Sequence, residues 1–430
     1  MLDYVDLFAG PGGWDLAAER LGLDGVGVEY EANACNTRRA AGLLTIEDDV
    51  RGWSPRRLPS RGLIGSPPCP TFSTAGNGEG RRALPAILKL AEMMGDGRIW
   101  GADLVSGLVG LSGLVCDEMS ALVLEPLRWA LEAMEAGHPY EWIALEQVPS
   151  ALPVWHAIAR VLTQHGYSVA VGVLHAEQYG VPQTRRRAVL IARREGPAAL
   201  PVPSHSRYYP RDPERLDPGV LSWVSWGEAL GWGLFDHPSP TITGGGVITG
   251  GAEPIAKWRR YTDREGFVLR GSTRPNAGVR PEDRPSSTVH FSARLRPMWV
   301  IPEDEAAAGE KLSADVLTRA RAKRLTITEA GVLQTFPTRH PWSGGNGVRY
   351  QQVGNAVPPV LAGAILASAL GVARDELPST HTRAREDERV IVSAGRTGQG
   401  RPRSAGSPCG TITGRGNAYV LDSSAEWGPR

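Results

Sequence analysis

Across the first half of this 430-residue chain, short apolar runs alternate with stretches of helical spacing. Tyr4–Phe8 is typical of a buried strand and Gly12–Leu21 of a helix. The same pattern predicts strands at 26–29, 63–64, 142–145, 169–174 and 188–192, and helices at 119–134 and 155–165. Such alternation predicts an α/β fold with a doubly wound, Rossmann-like parallel sheet.

The pattern changes after about residue 194, where proline and glycine become frequent and helical spacing fades. Helical spacing returns at 326–336 and at 357–370. We therefore expect a first domain at 1–194, a smaller loop-rich domain at 195–324, a return segment at 325–372 that packs on the first domain, and an extension at 373–430. The extension is rich in arginine, glycine and serine, which favours partial disorder.

One short motif recurs along the chain. Residues 240–244 (PTITG) are similar to residues 410–414 (GTITG), and residues 285–289 (PSSTV) are a looser relative. Chance recurrence in sequence rich in glycine and threonine explains this as well as a true repeat does, so both interpretations stay open.

The composition is that of an ordinary globular protein, with 41% hydrophobic and 22% charged residues and a formal net charge of +1. Among the 47 basic residues only Lys89, Lys257, Lys311 and Lys323 are lysines. Arginine suits bidentate contacts with phosphates and guanine edges. Codon usage in a GC-rich genome is an equally simple explanation.

Four cysteines occur, at positions 35, 69, 116 and 409, and none forms a C-x-x-C pair. This pattern argues against a structural zinc site and against a disulfide framework, and it favours a reducing compartment. The chain opens directly into a strand-like run, and its most apolar stretch, near 104–115, is short and interrupted. We expect a cytoplasmic protein with no membrane span and no bound metal.

A glycine-rich turn follows the first predicted strand, in Asp6–Gly13 (DLFAGPGG). Glycines let a ligand approach the backbone, and the following helix offers free N–H groups at its start. Glu29 ends the next strand, where a carboxylate can bind ribose hydroxyls, and Asp49 could meet an adenine amino group. Alone, this pattern is shared with dinucleotide-binding folds, and surface charge at strand ends also explains the acids.

Cys69 stands between two prolines, in Gly65–Ser73 (GSPPCPTFS). Prolines favour a rigid, exposed turn and not a core element, so this cysteine is a candidate nucleophile. Glu146 ends another predicted strand, and strand ends of a doubly wound sheet face one crevice. Arg185 and Arg187 alternate in a predicted strand and so share a face, where they bind phosphate or catalytic groups unless they are a solvated charge run.

Taken in order, seven motifs of the chain form a set: DLFAGPGG, VEYE, GSPPCPTFS, EQV, QTRRR, RPSSTV and QQVGNAVPP. This set resembles the motif series of the bacterial DNA (cytosine-5) methyltransferases and spans residues 3–370. The resemblance implies methyl transfer from S-adenosyl-L-methionine to C5 of a cytosine flipped out of double-stranded DNA. It also implies a monomer, and it allows for a cognate restriction endonuclease encoded nearby.

The resemblance assigns a role to each matching residue. Cys69 is the nucleophile, Glu146 contacts N3 and the amino group of cytosine, and Arg185 and Arg187 belong to the pocket. Residues 195–283 occupy the family's variable target-recognition region. The cofactor-binding residues are Phe8 (stacked on adenine), Ala9, Gly10, Gly12, Gly13, Glu29, Tyr30, Asp49, Val50, Pro67 and Asn355.

One departure concerns Gln147, which stands where the family usually has an asparagine that orients nearby loop backbone. The departure supports one alternative, a catalytically silent DNA-binding relative. A second alternative is an RNA or tRNA cytosine methyltransferase on the same scaffold. A third, a nicotinamide-dependent oxidoreductase, would rest on the glycine-rich turn alone.

Overall fold

The structure of the 430-residue chain is a computed structural model. The described residues are 1–68, 79–98, 118–212, 214–230, 268–270, 279–281, 284–287, 298–300, 323–324, 326–372, 390–393, 403–404 and 418–421. Cys69, Cys116 and Cys409, the loop after Cys69 and most of the predicted second domain lie outside these residues.

A seven-stranded sheet forms the centre of the first domain. Its strand order is β3-β2-β1-β4-β5-β8-β6. The strands are β1 (Leu2–Leu7), β2 (Gly25–Glu29), β3 (Thr45–Glu47), β4 (Ser60–Gly65), β5 (Trp142–Gln147), β6 (Ser168–His175) and β8 (Arg186–Arg193), with the short β7 (Gln183–Thr184) outside this sheet.

The sheet is mixed, which corrects the expectation that it is parallel throughout. β8 runs antiparallel to both β5 and β6, whereas β1 to β5 pair in parallel. Only residues 176–185 connect β6 to β8, and a connection of that length has no helix to carry the chain back across the sheet. The predicted doubly wound α/β class is otherwise confirmed.

Helices lie on both faces of the sheet, and three further helices, α7 to α9, pack together in a separate small cluster. The helices are α1 (Gly13–Arg20), α2 (Ala32–Ala40), α3 (Glu79–Gly95), α4 (Glu118–Ala121), α5 (Glu125–Glu135), α6 (Leu152–Gln164), α7 (Trp226–Ala229), α8 (Ile327–Leu333), α9 (Asn346–Asn355) and α10 (Pro359–Leu370). Short 3-10 turns lie at Val50–Gly52, Leu122–Leu124, Pro149–Ala151 and Ala176–Tyr179.

Two hydrophobic cores lie on opposite faces of the sheet, as alternation along each strand requires. In β5, Ile143 and Leu145 pack into the core with α3, α5 and α6. Trp142 and Ala144 pack into the other core with α1 and α10. The return segment therefore completes one face of the first domain through α10.

Three smaller sheets accompany the main one. The strands β9 (Val268–Arg270), β10 (Val279–Pro281), β12 (Met298–Val300) and β13 (Lys323–Arg324) form a four-stranded sheet in the order β10-β9-β12-β13. The pair β11 (Ser286–Ser287) and β7 is parallel. The strands β14 (Val390–Ser393), β15 (Arg403–Ser404) and β16 (Ala418–Leu421) form a sheet in the extension, in the order β15-β14-β16.

Among the described helices, one stretch, Asn346–Leu370, is long and apolar enough to cross a membrane by length and composition. Most of it is buried inside the fold, and its α10 half packs together with α1 on one face of the central sheet. A core helix explains this stretch fully.

Candidate active site

The ends of three neighbouring strands place the predicted site residues at one edge of the sheet. Leu7 of β1 is in register with Gly65 of β4, and Gly65 is in register with Leu145 of β5. The glycine-rich turn, the segment Ser66–Pro68 and Glu146 therefore emerge side by side. Two hydrogen bonds connect Ser66 to the elements on either side of the glycine-rich turn. The Ser66 N–H donates to the Leu7 carbonyl of β1 at 3.2 Å, and Trp14 Nε1 of α1 donates to Ser66 Oγ at 2.8 Å.

The glycine-rich turn has an unusual backbone. Phe8 has a φ of 61°, a left-handed conformation that costs a non-glycine residue about 1 kcal/mol and that clusters at functional sites. Gly12 caps α1 with a φ of 99°. A Cβ on Gly13 would lie 2.2 Å from the Val357 carbonyl oxygen of the return segment, so only glycine fits there. The turn is therefore shaped both by strain and by close packing.

Glu29 lies directly against this turn. Its Oε2 accepts the Gly10 N–H at 2.8 Å and its Oε1 accepts the Glu31 N–H at 2.7 Å, so both oxygens are fixed in place. Each oxygen keeps a second lone pair for a ligand hydroxyl. Tyr30, the next residue, is 77% exposed, and Phe8 is half-buried. The arrangement offers two aromatic surfaces beside a positioned carboxylate.

Beneath the turn lies a buried ion pair that the sequence interpretation missed. Arg38 of α2 pairs with Asp15 of α1 through two bonds of 2.6 and 2.9 Å. The same guanidinium donates to the carbonyls of Ala9 at 3.3 Å and Leu44 at 3.1 Å. Burial disfavours the charge of Arg38, but Asp15 raises its pKa, so it remains a cation. Arg38 thus joins the glycine-rich turn to the start of β3.

We expect Arg38→Met to destabilise the fold by about 3–5 kcal/mol, because it leaves the Asp15 carboxylate buried without its cation. The double variant Asp15→Leu/Arg38→Met should recover most of that stability, since it removes both charges. It should not recover cofactor affinity, because the Ala9 carbonyl still lacks the Arg38 donor and keeps only the Gly12 N–H. Thermal unfolding and calorimetry with S-adenosylhomocysteine measure the two effects. Full recovery of affinity in the double variant would contradict a positioning role for Arg38.

A second buried arginine holds the turn after β3. Arg128 of α5 donates through Nη2 to the carbonyls of Val50 and Trp53, each at 3.1 Å. Val50 is buried in the core beneath. Arg51 Nη2 lies 2.7 Å from Asp49 Oδ2, and hydrogen bonds from Arg51 hold the pKa of Asp49 below its ordinary value. The carboxylate of Asp49 therefore carries a negative charge at neutral pH, already paired with a neighbour.

The loop that carries Cys69 begins at Ser66, and its start is anchored by Gln147. Gln147 Nε2 donates to the Pro67 carbonyl at 2.6 Å, while its Oε1 accepts the Val148 N–H at 2.5 Å. Both bonds are shielded, since Gln147 is 3% exposed. Cys69 itself lies outside the described residues. Two residues before Cys69, the chain is held at Pro67 by the side chain of Gln147.

We expect Gln147→Ala to slow methyl transfer about 10- to 100-fold, because it leaves the Pro67 carbonyl and Val148 N–H buried without partners at about 1–3 kcal/mol. Gln147→Asn is the conservative comparison and should lose less, since its shorter side chain keeps both functional groups. Single-turnover kinetics with saturating cofactor provide the measurement. If Gln147→Ala lowers the unfolding temperature but transfers methyl groups at the normal rate, Gln147 has a structural role only.

Glu146 is paired with Arg187 at the end of β5. Arg187 Nε lies 2.6 Å from Glu146 Oε1, and the two side chains are 12% and 6% exposed. The pairing follows from strand register, since Val189 of β8 lies opposite Glu146 and Arg187 is two residues away on the same face. The carboxylate is thereby oriented at the carboxyl end of β5, with its second oxygen left out of this bond.

Arg185 has a different environment from Arg187. It is buried, and its two terminal nitrogens donate to the carbonyls of Gly354 and Ala356 at 2.9 and 3.0 Å. These carbonyls flank Asn355, which is exposed at the end of α9. Of these two arginines, Arg187 forms the ion pair with Glu146. Arg185 instead fixes the return segment beside the site.

Further polar bonds hold the return segment against α2, β7 and the glycine-rich turn. Thr37 Oγ1 donates to Gln352 Oε1 at 2.7 Å, and Gln183 Nε2 donates to Gln334 Oε1 at 3.2 Å. His340 Nε2 lies 3.2 Å from the Pro11 carbonyl. Burial lowers the pKa of His340 to about 4, so the ring is neutral at pH 7 and can donate one hydrogen to that carbonyl.

Sequence patterns carried some signal for the residues that were missed. Arg128 has Glu125 three residues before it and Glu132 four residues after it, the spacing of paired charges on a helix, and the structure pairs it with both. Arg38 and Asp15 had no such signal, because they lie on different helices. No cluster of three or more His, Cys, Asp or Glu side chains that could hold a metal ion occurs within the described part of the chain.

The sequence matches the family described as C-5 cytosine-specific DNA methylase over residues 2–84, 144–220 and 253–370, more than half of the chain. It is 27% identical to the type II methyltransferase M1.HphI of Haemophilus parahaemolyticus over 391 residues, covering 87% of this chain and 88% of that protein. It is also 27% identical to M.SacI of Streptomyces achromogenes over 409 residues, covering 86% and 92%.

Among solved structures, the fold is similar to a DNA modification methyltransferase encoded within an E. coli prophage, with a TM-score of 0.51 and 18% identity. The match covers 86% of this chain and 99% of that one. The Dnmt2 methyltransferase of S. pombe has a TM-score of 0.50 and 14% identity, covering 86% and 98%. These likenesses support the fold, and the family match supports the chemistry: the chain belongs to the C-5 cytosine-specific DNA methylase family and is a DNA (cytosine-5) methyltransferase.

Proposed function

We propose that the protein transfers a methyl group from S-adenosyl-L-methionine to C5 of a flipped-out cytosine in a specific DNA sequence. The proposed route includes a covalent bond between Cys69 and C6 of the ring. The observation that carries this proposal is the Glu146–Arg187 pair, which lies one strand away from the Gln147-anchored segment that leads to Cys69.

The residues at the glycine-rich turn fit S-adenosyl-L-methionine. Glu29 is held 2.8 Å from the Gly10 nitrogen, with lone pairs free for ribose hydroxyls. Phe8 and Tyr30 offer aromatic surfaces for an adenine ring, and Asp49–Val50 offers a carboxylate and backbone groups for its edge. In this proposal Ala9, Gly12, Gly13, Pro67 and Asn355 also border the bound cofactor. The bound cofactor supplies a methyl group on a sulfonium, which is an activated electrophile.

Cytosine C5 is too weak a nucleophile to take that methyl group directly. Addition of the Cys69 thiolate forms a C6–S bond, breaks the ring's aromaticity and gives C5 the character of an enamine carbon. The new C5–methyl bond would form at this stage as the methyl–sulfur bond of the sulfonium breaks, which leaves S-adenosylhomocysteine. A base then removes the C5 proton, the electron pair restores the ring, and the C6–S bond breaks to release the thiol.

Glu146 would act on the opposite side of the same ring. As the thiolate adds at C6, negative charge develops towards N3, and a carboxyl group held there can share a proton with it. Arg187 keeps Glu146 in one orientation at 2.6 Å, which limits the entropy lost when the cytosine enters. Cytosine reaches this pocket only after flipping from the duplex.

We further propose that residues 195–324 form the target-recognition domain, with residues 195–283 as the variable region that selects the sequence. Double-stranded DNA is then the partner of a monomeric enzyme in the cytoplasm of a bacterial or phage-infected cell. A cognate restriction endonuclease is consistent with the type II relatives, whose names refer to such systems.

The experiment that tests the function is expression of the chain in a host without cytosine methylation, followed by bisulfite or nanopore sequencing. We expect 5-methylcytosine at one fixed sequence, and exchange of residues 195–283 with those of a relative should change that sequence. Parallel incubation with labelled cofactor and either DNA or tRNA provides the contrast. Label on tRNA alone would overturn the proposal in favour of an RNA methyltransferase.

A further inference from the structure

Three aromatic rings of the return segment form a cluster after α8. Phe336, His340 and Trp342 contact one another, with ring centroids 4.5 to 4.9 Å apart in tilted or edge-on pairs. Phe336 and His340 are buried, and Trp342 is half-buried. The residue before the cluster, Thr335, has a φ of 63°, a left-handed conformation that persists only where the surrounding structure holds it. The aromatic cluster is therefore a closely determined part of the fold.

This aromatic cluster lies against the glycine-rich turn. The tip of the Phe336 ring is 3.5 Å from the position that a Cβ on Gly13 would occupy, and His340 Nε2 is 3.2 Å from the Pro11 carbonyl oxygen. That carbonyl precedes α1, whose N-cap is Gly12, and the carbonyl of the N-cap is the first to accept a bond within a helix. His340 therefore gives the turn a hydrogen bond that the helix does not supply.

His340 meets this carbonyl as a neutral donor. Burial lowers the pKa of His340 to about 4, and the charge of Arg38, which is paired with Asp15, acts in the same direction. The bond to Pro11 acts in the opposite direction and is outweighed. A neutral imidazole has one N–H, and a carbonyl oxygen only accepts, so the hydrogen lies on Nε2. The contact with Pro11 therefore fixes the tautomer of the ring.

The bond from His340 holds a part of the turn that other polar contacts leave open. The Gly10 N–H donates to Glu29 at 2.8 Å, one residue before Pro11. Pro11 has no N–H, so its carbonyl is the polar group through which the backbone at this position can be held. Loss of the bond to that carbonyl should therefore shift the turn and lower its affinity for a ligand.

We propose that His340 is a positioning residue for the cofactor, whose Nε2–H holds the Pro11 carbonyl and thereby fixes the glycine-rich turn in the shape that binds S-adenosyl-L-methionine. This inference rests on the proposed function, since it assumes that the turn binds this cofactor. His340 belongs to none of the seven motifs of the chain. The Glu146–Arg187 pair lies on β5 and β8, two and three strands from β1, so the transfer rate at saturating cofactor should not depend on His340.

Two substitutions separate the hydrogen bond of His340 from the packing of its ring. His340→Phe keeps an aromatic ring beside Phe336 and Trp342 but has no donor. His340→Gln keeps an N–H donor at a reach similar to that of Nε2 but has no ring. We expect His340→Phe to weaken the binding of S-adenosylhomocysteine about tenfold, the order expected when a buried carbonyl loses its donor, and His340→Gln to weaken it less than about threefold. Calorimetry with the full chain measures both dissociation constants.

Steady-state kinetics distinguish positioning of the cofactor from a general loss of folding. His340→Phe should raise the KM for S-adenosyl-L-methionine about tenfold, while kcat at saturating cofactor and DNA stays within about twofold of the normal value. If His340→Phe does not fold, His340→Met provides the same comparison, because a flexible methionine also fills the site without a donor.

The matched control is Tyr167→Phe, which also removes a side-chain donor from a buried backbone carbonyl. Tyr167 Oη donates to the Tyr140 carbonyl at 2.7 Å, just before β6 and β5 begin. This is the edge of the sheet opposite to the glycine-rich turn, since β1 and β5 run in the same direction. The control should lower the unfolding temperature and leave the affinity for S-adenosylhomocysteine unchanged.

The pH dependence of folding gives a readout that does not involve the cofactor. An unfolded histidine takes up its proton near pH 6.5, whereas His340 in the fold does so only near pH 4. As the pH falls from about 6.5 to about 4, the unfolding equilibrium constant should gain up to about tenfold per pH unit from this residue. His340→Gln should lack this contribution and Tyr167→Phe should keep it. Denaturant titrations of the chain without cofactor, across this pH range, measure the difference.

The outcomes separate this inference from the proposed function. If the unaltered chain binds neither S-adenosyl-L-methionine nor S-adenosylhomocysteine, the proposed function fails and this inference fails with it. If the unaltered chain binds both and His340→Phe behaves like Tyr167→Phe, the positioning role of His340 is refuted while the methyltransferase assignment stands. Equal loss of affinity in His340→Gln and His340→Phe would also refute it, since the packing of the ring would then matter and not the hydrogen bond. An unchanged pH dependence in His340→Gln would show that His340 is not a buried neutral donor.

Discussion

Replacement of Cys69 by serine should abolish methyl transfer while leaving DNA binding intact. An alkoxide is far harder to form than a thiolate at neutral pH, so the bond to C6 fails to form and C5 stays unreactive. We expect the rate to fall by at least about four orders of magnitude, the scale on which removing a nucleophile acts. Labelled cofactor and a gel-shift assay measure the two properties in the same preparation.

The control is Cys116→Ser, a change at a cysteine outside all of the motifs, which should retain full activity. A duplex whose target cytosine carries fluorine at C5 gives a direct test of the covalent bond. Fluorine cannot leave as a proton does, so the Cys69–C6 adduct should accumulate with the unaltered enzyme and survive denaturing electrophoresis. Normal turnover by Cys69→Ser, or an adduct formed by that variant, would rule out Cys69 as the nucleophile.

Local patterns predicted the strands and turns that create the cleft. Alternation of apolar runs with helical spacing located β1, β2, β5 and β8 to within a few residues, because buried strands and amphipathic helices each leave a periodic trace. The glycine-rich turn and Glu29 were predicted as parts of one cofactor site, and a 2.8 Å bond from the Gly10 nitrogen joins them directly. Adjacent strand ends in a parallel sheet make such meetings predictable.

Local sequence patterns did not predict contacts between elements that lie far apart in the chain. Nothing in the spacing of Arg38 and Asp15 indicates that they pair, because the partner of a buried charge depends on how two helices cross. Apolar periodicity also does not predict the reversed direction of β8, because it is the same in parallel and antiparallel strands. The short connection at 176–185, which has no room for a crossover helix, was the signal that could have predicted it. The two arginines of the Gln-x-Arg-x-Arg motif also have different partners: Arg185 donates to the Gly354 carbonyl of the return segment, and Arg187 pairs with Glu146.

Three of the long-range contacts are of the same physical kind. Arg38, Arg128 and Arg185 are each buried, and each donates to backbone carbonyls of a segment that borders the cleft. A guanidinium carries five donors in a rigid fork, so one side chain can hold two carbonyls and a carboxylate at once. Loops held in this way lose little entropy on binding, which favours tight placement of cofactor and base.

Glu146→Gln should reduce the turnover rate about 10²- to 10⁴-fold, the range that proton sharing by a positioned side chain supplies. The amide has the same shape as the carboxylate, so the Arg187 contact at 2.6 Å keeps one acceptor and the fold should be preserved. What the amide lacks is the ability to share a proton with N3 as charge develops there. Binding of S-adenosylhomocysteine should change less than about threefold, because Glu29 and the glycine-rich turn are untouched.

The matched control for this variant is Glu141→Gln, which alters an exposed glutamate just before the same strand and should leave turnover unchanged. Turnover and cofactor binding are measured side by side, the first with labelled cofactor and saturating DNA, the second by calorimetry. Arg187→Met should slow turnover in the same direction, since Glu146 loses the bond that orients it. If Glu146→Gln loses cofactor affinity as strongly as turnover, Glu146 supports the cofactor site and does not act on the cytosine ring.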